Sequence, residues 1–398
     1  MEDVVILVGG KGSRLGNITK NTPKPFLEIN KEPFLITLMN DIHRFGFKKF
    51  ILLAGHANQI LIEYFKKNKF NYTVEVIVEN EPLGTGGAII NALPKISENF
   101  FCFNGDSFLK GNWLKIKNLL SDNVDAAVAL SYVNDPSRYG NVILDSKGFI
   151  QNFSEKSGKN NLVNAGVYFF KKKLFENYKN KYISLENEIF PTLVLKKNIC
   201  GREIRGNFID IGLPESLNLA RKSNIFHNKY AVVLDRDGTI NVDNGYTYKV
   251  SDLRFNPFIK KFISYLNDRN ILTVVATNQS GIAREIFSED AMHLFHHEIQ
   301  RRLHTEDAHI DGFFYCPFHK DATNNIYKIN SNLRKPNIGM LELIKEKWNL
   351  EKDNMLMIGD KDSDIDCATN FKIESLKYKN SMSLDFLVNF VEDKFNLN

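Results

Sequence analysis

Apolar runs separated by helical stretches recur along the whole chain, and partway through the pattern starts again. In the first half the runs DVVILV (3–8), KFILLA (49–54), VEVIV (74–78), FFCFN (100–104) and DAAVALSY (125–132) have the length and composition of buried strands. Amphipathic stretches such as 33–45 and 86–93 predict helices between some of them. In the second half, strands over 231–235, 271–276, 312–315 and 354–358 alternate with helices over 257–269, 288–303 and 338–348. Such alternation predicts α/β sheets with crossover connections. Between the halves, ESLNLARKSNIFHNKY ends a helix and continues as a polar connector. This predicts domains over 1–222 and 230–398, with a linker at 223–229.

Composition agrees with two domains. The 398 residues suffice for about two or three domains of ordinary size. Hydrophobic residues at 43% and charged residues at 25% are the proportions of a soluble globular protein. The net charge of +5 is spread over many lysines without a basic block, which argues against nucleic acid as a partner and for phosphorylated small molecules. No apolar run approaches the ~20 residues that span a bilayer, so no membrane partner is expected. The N-terminus lacks the features of an export signal. Cys102, Cys200, Cys316 and Cys367 are far apart, which reads as free thiols in a reducing, cytoplasmic setting. Lysine- and asparagine-rich tracts at 66–71 and 179–181 read as solvated surface. A homo-oligomer stays open.

The first half carries phosphate chemistry. After the first strand come Gly9, Gly10, Gly12, Ser13 and Arg14, where glycines let the backbone N–H groups approach a phosphate and Arg14 adds a charged fork. Taken singly, a glycine-rich turn is often only a turn. Then TPKP holds Lys24 between two prolines, a stiff mount for a cation facing developing negative charge. EPLGTGGA brings Glu81 and Gly86 just before a helix, where N–H groups point outward. Asp106 and Asp210 end apolar stretches, as two carboxylates bridged by Mg²⁺ would.

Together GGKGSRL, PKP, EPLGTGGA, NGD, EK, NAGVY and FIDIG resemble the sugar-1-phosphate nucleotidyltransferases over about 3–221, in wording closest to the D-glycero-α-D-manno-heptose 1-phosphate guanylyltransferases. The resemblance implies a Rossmann-like, GT-A-like mixed sheet. It also implies attack of a sugar 1-phosphate on the α-phosphorus of a nucleoside triphosphate. Arg14 and Lys24 then neutralise the transition state, Asp106 and Asp210 hold Mg²⁺, and Gly140, Glu155, Lys156 and Asn164 line the sugar phosphate site.

The second half opens on AVVLDRDGTIN, with Asp235 at a strand end and Asp237 two residues on. One carboxylate so placed can attack a phosphoryl group while the other handles the proton. Thr277 and Asn278 end a second strand, Lys335 follows in LRKP, and Asp360 and Asp364 follow a third strand, which gathers a phosphatase site at successive strand ends. The order DRDGTIN, NQSGIAR, FYCPFH, RKP and GDKDSD resembles the haloacid dehalogenase superfamily, within it the heptose 1,7-bisphosphate 7-phosphatases and histidinol-phosphatase relatives. That implies a Rossmann-like parallel sheet with helices on both faces. It makes Asp235 the nucleophile and Asp237 the acid and base, with Thr277 and Lys335 on the phosphoryl oxygens. Mg²⁺ falls to Asp235, the Asp237 carbonyl and Asp360, and a second substrate phosphate to Arg284 and Arg334.

There is one departure from that pattern. Relatives bind a structural zinc through a histidine and cysteines that here are Phe318, Ser331 and Leu333, leaving Cys316. His319 alone does not complete four ligands. We therefore expect no structural zinc, with the 316–335 loop stabilised by packing. The histidine-rich HLFHHEIQRRLH (293–304) has amphipathic helical spacing, so its histidines are expected to face solvent or pack. The resemblances share a metabolite: a phosphatase acting on heptose 1,7-bisphosphate makes the heptose 1-phosphate that a guanylyltransferase consumes. Another sugar phosphate or nucleotide, another phosphate monoester, or an interaction role for the second domain remain alternatives at this point.

Overall fold

The computed structural model describes residues 2–10, 12–19, 22–29, 31–55, 58–136, 139, 141–154, 161–178 and 182–397. The chain divides into two compact units, one of Met1–His43 and Phe47–Phe226 and the other of Arg44–Gly46 and His227–Asn398. Both are α/β. Among the described residues no helix is long and apolar enough to cross a membrane. All four cysteines are free and buried.

The first unit is built on a mixed nine-stranded sheet. Its parallel part is β1 (Asp3–Leu7), β2 (Lys49–Ala54), β3 (Thr73–Val78) and β4 (Asn99–Asn104), with β1 between β4 and β2 and β3 outside β2. A short strand, β5 (Ser107–Lys110), leaves the sheet after β4. Beyond it come β6 (Ala126–Tyr132), β7 (Asn141–Leu144), β8 (Ile150–Ser154), β9 (Leu162–Lys171) and β10 (Ile199–Glu203). The long β9 runs antiparallel to β4, β6 and β7 and so joins both halves of the sheet. Finally β11 (Asn207–Asp210) pairs antiparallel with β5. Helices α1 (Phe34–Arg44), α2 (Asn58–Lys67) and α3 (Gly84–Ala92) connect the parallel strands, and α4 (Pro214–Lys222) follows β11. Val5, Ile51, Leu53, Phe100, Cys102, Tyr168 and Phe170 fill a core on one face of this sheet.

In the second unit β12 (Ala231–Leu234), β13 (Leu272–Asn278), β14 (Gly312–Cys316), β15 (Met355–Gly359) and β16 (Glu374–Lys377) form a wholly parallel sheet in the order β14-β13-β12-β15-β16. Period-two alternation along AVVL splits its side chains between two cores. Val232 and Leu234 pack with Phe262, Phe295 and Val391, on α5 (Ile259–Asp268), α6 (Glu289–Leu303) and α9 (Leu384–Phe395). Ala231 and Val233 pack with Met340, Ile344 and Phe371, on α7 (Gly339–Trp348) and α8 (Asp362–Phe371). A strand covered on both faces must be apolar throughout, which is why AVVL has no polar position.

Candidate active sites

In the first unit the loop after β1 and the β5/β11 ladder bring the charged groups together. Gly9 stands so close to the β2 end that a Cβ there would meet the Gly55 nitrogen at 3.0 Å. Gly12 has φ +64, which side chains rarely adopt. Arg14 is exposed and faces a cavity of about 730 Å³ that Lys24, Asp106, Asn164 and Asp210 also line. Ladder register opposes Asp210 to Ser107, and the Ile211 N–H donates to the Asp106 carbonyl at 2.9 Å, so the two distant aspartates lie at one end of the same ladder. Lys24 forms an ion pair with Asp106, and a Cβ on Gly212 would lie 2.8 Å from Asp210 Oδ1 and 3.0 Å from Lys24 Nζ. Lysine and both carboxylates therefore surround one point. Asn164 is fixed by the Gly166 N–H on its Oδ1 and by donation to Tyr168 Oη, each at 2.9 Å.

A second cavity, of about 830 Å³, is lined by Gly9, Gly10, Glu81 and Thr85 and shares Asp106 with the first. It also exposes Glu79, a residue absent from the sequence-based expectations. Glu79 follows the end of β3, its Oε2 accepts from the Leu83 N–H at 3.0 Å, and Oε1 lies 3.4 Å from where a Gly9 Cβ would stand. Burial pushes its carboxyl up, with the Leu83 bond opposing. The signal in the sequence is a carboxylate at the end of a parallel strand, the same signal that picks out Asp106.

Gly86 requires a correction. Its N–H donates to the Ile183 carbonyl at 2.9 Å, and a Cβ there would strike Ile189 at 2.7 Å. It is a packing glycine inside α3, with no free N–H for a nucleotide. Gly140, Glu155, Lys156, the 179–181 tract and the side chain of Ser13 lie outside the described residues.

In the second unit, strand ends at one edge of the parallel sheet supply the groups. Asp235 follows β12, its N–H bonded to the Ile358 carbonyl at 2.9 Å, and Asp360 follows β15. Gly238, at φ +93, lets the DRDG turn close on Asp360: a Cβ there would meet Asp360 Oδ2 at 2.2 Å. Lys335 is buried, its Nζ 2.6 Å from Asp235 Oδ1, from Asp364 Oδ1 and from the Ala276 carbonyl. Asn278 holds it there through two reciprocal bonds to the Lys335 backbone, each 3.0 Å. Asn278 thus positions the lysine as well as lining the cavity of about 340 Å³ that contains Asp235, Asp237, Thr277, Arg334 and Lys335.

Asp235, Asp360 and Asp364 each offer a carboxylate oxygen within 4.8 Å of the others. Asp360 Oδ1 is buried without a hydrogen-bond partner. An orphaned buried oxygen among clustered carboxylates fits a hard divalent cation such as Mg²⁺. The cluster holds Asp235 and Asp360 of the expected set and one carboxylate beyond it, Asp364. The Asp237 carboxylate is turned to Arg236, Asn241 and Gln279, which leaves only its backbone carbonyl for a metal. Asp364 is the addition, carried in by the first turn of α8, where its Oδ2 accepts from the Lys361 N–H at 3.0 Å. Burial raises the Asp235 carboxyl to about 7 against the opposing pull of Lys335, and burial also raises that of Asp360. Since a metal binds the ionised form, apparent Mg²⁺ affinity should climb as pH rises from about 6 to about 8. Calorimetry in buffers of different ionisation enthalpy should show proton release on binding, and a pH-independent affinity would contradict this.

Arg334 is half-buried, its Nη1 is buried without a partner, and it lines the same cavity as the carboxylates. Burial lowers its pKa, and the nearby Arg284 charge lowers it further. Arg284 itself is exposed. Glu285, where relatives were expected to have glycine, sits at φ +58, the region where glycine is the unstrained choice. The 316–335 loop is held by more than packing. Tyr315 Oη and Tyr327 Oη donate to the two oxygens of Glu289 at 2.6 and 2.7 Å, the Phe318 and Tyr327 rings lie 6.1 Å apart, and the Thr323 and Asn324 N–H groups reach the Ala283 carbonyl. Of the helix histidines, His293 and His297 are exposed, whereas His296 and His304 are buried.

Comparison with known proteins adds to this geometry. A family model described as nucleotidyl transferase matches residues 3–223, and one described as HAD-hydrolase-like matches residues 332–383. D-glycero-alpha-D-manno-heptose 1-phosphate guanylyltransferase of Campylobacter jejuni subsp. jejuni serotype O:2 is 34% identical over 217 residues, covering 53% of this chain and 95% of that protein. HddC from Yersinia pseudotuberculosis, whose crystal structure is also known complexed with GMP-PN, is 34% identical with a TM-score of 0.51, covering 56% of this chain and 99% of its own. The chain spans about half the length of other relatives, such as the bifunctional protein GlmU of Methanococcus aeolicus, 32% identical over 222 residues that are 54% of this chain and 52% of that protein.

Proposed function

From a chain that belongs to the nucleotidyl transferase family and carries a HAD-like phosphatase domain beyond it, we propose that the two units catalyse consecutive steps in making a GDP-activated heptose. The reading assigns residues 230–398 to removal of the 7-phosphate of D-glycero-D-manno-heptose 1,7-bisphosphate. Residues 1–222 transfer GMP from GTP to the resulting heptose 1-phosphate. The setting would be cytoplasmic synthesis of a surface glycan precursor. The observation that carries the reading is the pairing of a guanylyltransferase-like unit with a phosphatase cavity lined by three cations, of which Lys361 pairs with Asp243, leaving two further cationic centres, Lys335 at the carboxylates and Arg334. A bisphosphate has one phosphate for each.

In the phosphatase step an Asp235 oxygen attacks phosphorus, and the bond to the sugar oxygen breaks as Asp237 protonates that oxygen. Water, deprotonated by Asp237, then displaces phosphate from the aspartyl-phosphate. Thr277 and Lys335 orient the phosphoryl oxygens, and Arg334, with Arg284 nearby, takes the remaining phosphate. In the transfer step an oxygen of the sugar 1-phosphate attacks the α-phosphorus of GTP and pyrophosphate leaves. Arg14 and Lys24 face the charge that develops, with Gly9, Gly10 and Gly12 along the triphosphate. Mg²⁺, held by Asp106 and Asp210 in one unit and by Asp235, Asp360 and Asp364 in the other, would supply further charge neutralisation when bound.

Glu79 supports guanine. The Watson–Crick edge of guanine presents two adjacent donors, N1–H and the N2 amino group, and a carboxylate accepts both. Uracil presents one donor flanked by two acceptors, which a carboxylate repels. Glu79→Gln should therefore lower the preference for GTP over UTP by about 10–100-fold in kcat/KM, the worth of one bidentate contact. Unchanged preference would move base recognition elsewhere in the cavity.

The whole reading is tested by incubating the protein with Mg²⁺, GTP and heptose 1,7-bisphosphate while following phosphate, pyrophosphate and GDP-heptose. Phosphate should precede pyrophosphate, and pyrophosphate and GDP-heptose should appear together in equal amounts. Phosphate without pyrophosphate would reopen the nucleotide or anomer. If neither appears, the heptose assignment falls and other sugar phosphates must be tried.

A further inference from the structure

Arg236 stands between the two aspartates of DRDG and has no part in either chemical step, yet it is a wholly buried charge at 0% exposure. Its Nε donates to Asp237 Oδ1 at 3.0 Å and its Nη2 to Asp237 Oδ2 at 2.7 Å, a two-pronged grip on the carboxylate. Nη2 also donates to the Thr247 carbonyl at 2.8 Å, and Nη1 lies 3.1 Å from His296 Nε2. Phe295 covers the guanidinium, its ring centroid 4.9 Å from Cζ. Arginine can only donate, so His296 Nε2 is the acceptor and the ring is neutral. Burial and the Arg236 charge both favour that state by holding the imidazole well below its usual pKa.

Asp237 accepts two further bonds, from Asn241 Nδ2 to Oδ1 at 3.1 Å and from Gln279 Nε2 to Oδ2 at 2.8 Å. Gln279 lines the phosphatase cavity and Asn241 does not. The grip from Arg236 therefore comes from the protein side, and the bond that a leaving oxygen or a water would replace is the one to Gln279. A guanidinium fork fixes the plane of a carboxylate in a way that a lysine ammonium does not.

We propose that Arg236, held in place by His296, is the positioning residue for Asp237: it aims the carboxylate at the leaving oxygen and ties it to the segment around Thr247. The inference rests on the phosphatase reading of Asp235 and Asp237. Loss of aim penalises the two steps differently according to the leaving group. A sugar alkoxide needs the Asp237 proton to depart. A nitrophenolate departs without one, so with an aryl phosphate only the second step, in which Asp237 takes a proton from the attacking water, depends on aim.

The test uses the full chain with Mg²⁺ and compares p-nitrophenyl phosphate with heptose 1,7-bisphosphate. Arg236→Lys and His296→Leu should each release about one equivalent of nitrophenolate per enzyme in a burst, followed by a steady rate about 10–100-fold below wild type, a part of what general acid–base catalysis contributes. With the bisphosphate there should be no burst and a similar or larger loss. His296→Gln, whose amide oxygen can replace Nε2 as acceptor, should recover most of the rate lost in His296→Leu. Equal losses on both substrates with no burst, at an unchanged melting temperature, would overturn the proposal and leave Arg236 a structural residue. If Arg236→Lys does not fold, the two His296 variants decide alone, and failure of the glutamine to rescue counts against it. Failure of the phosphatase reading looks different: Asp235→Asn would then match wild type on both substrates.

Discussion

Replacing Asp235 with asparagine should stop phosphate release from the heptose bisphosphate, by on the order of 10⁴-fold or more, because an amide cannot form the aspartyl-phosphate. The fold should survive. Asparagine has nearly the same shape, and burial already disfavours the charge that it removes. Lys335 keeps Asp364 at 2.6 Å as a counter-charge, so no uncompensated ammonium is left in the interior. Mg²⁺ affinity should fall as well, since one of the three clustered carboxylates is lost. Transfer of GMP to supplied heptose 1-phosphate should continue at the wild-type rate, because the transferase residues belong to another compact unit. The check is a parallel assay of phosphate and pyrophosphate, with a melting curve. Phosphate release within about tenfold of wild type would remove Asp235 as nucleophile.

Lys24→Ala should have the opposite selectivity. Its ammonium pairs with Asp106 and lies beside Asp210, which in the proposed transfer step is where charge would build as pyrophosphate departs. Loss of one such preorganised donor costs about 10²–10³-fold in kcat. KM for GTP should change only a few-fold, and the phosphatase rate should stay unchanged. Lys24→Arg should recover part of the loss, since the charge is kept and its geometry is not. A large rise in KM at constant kcat would instead make Lys24 a ground-state phosphate ligand.

The physical reasons behind these residues explain what could be seen in the sequence. AVVL had to be a doubly covered strand because every position is apolar, and parallel strands deliver the residues just beyond their C-terminal ends to a shared edge. That logic finds Asp235 and Asp360, with Thr277 in the last two residues of β13. Applied to β3 it also finds Glu79, which is masked by the stronger glycine motif a few residues on. Direction of N–H groups is not written in a sequence. The GTGG run looks alike whether its amides face a ligand or, as for Gly86, the Ile183 carbonyl. Asp364 is visible in the sequence, but its approach to Asp235 depends on how the first turn of α8 packs. The β5/β11 ladder, which brings Asp106 to Asp210 across about a hundred residues of chain, follows from pairing register and from no local signal. Likewise packing alone was expected to hold the loop at 316–335, whereas two tyrosines converge on Glu289 from outside and inside it.

The strand order of the second unit also governs when its chemistry can exist. β12 is first in the sequence of that sheet and central in space, and residues 231–234 pair with residues 355–358, about 120 residues later in the chain. Closing that pair is a high-contact-order event, slow compared with forming any helix between the two strands. Asp235 and Asp360 are delivered by this same pairing, so the acidic cluster assembles only when the middle of the sheet closes. A ribosome-bound or partly folded chain can complete its transferase half while the carboxylates of its phosphatase half are still apart, and divalent-cation binding that is lost in Asp235→Asn would mark the moment at which that half has been both synthesised and folded.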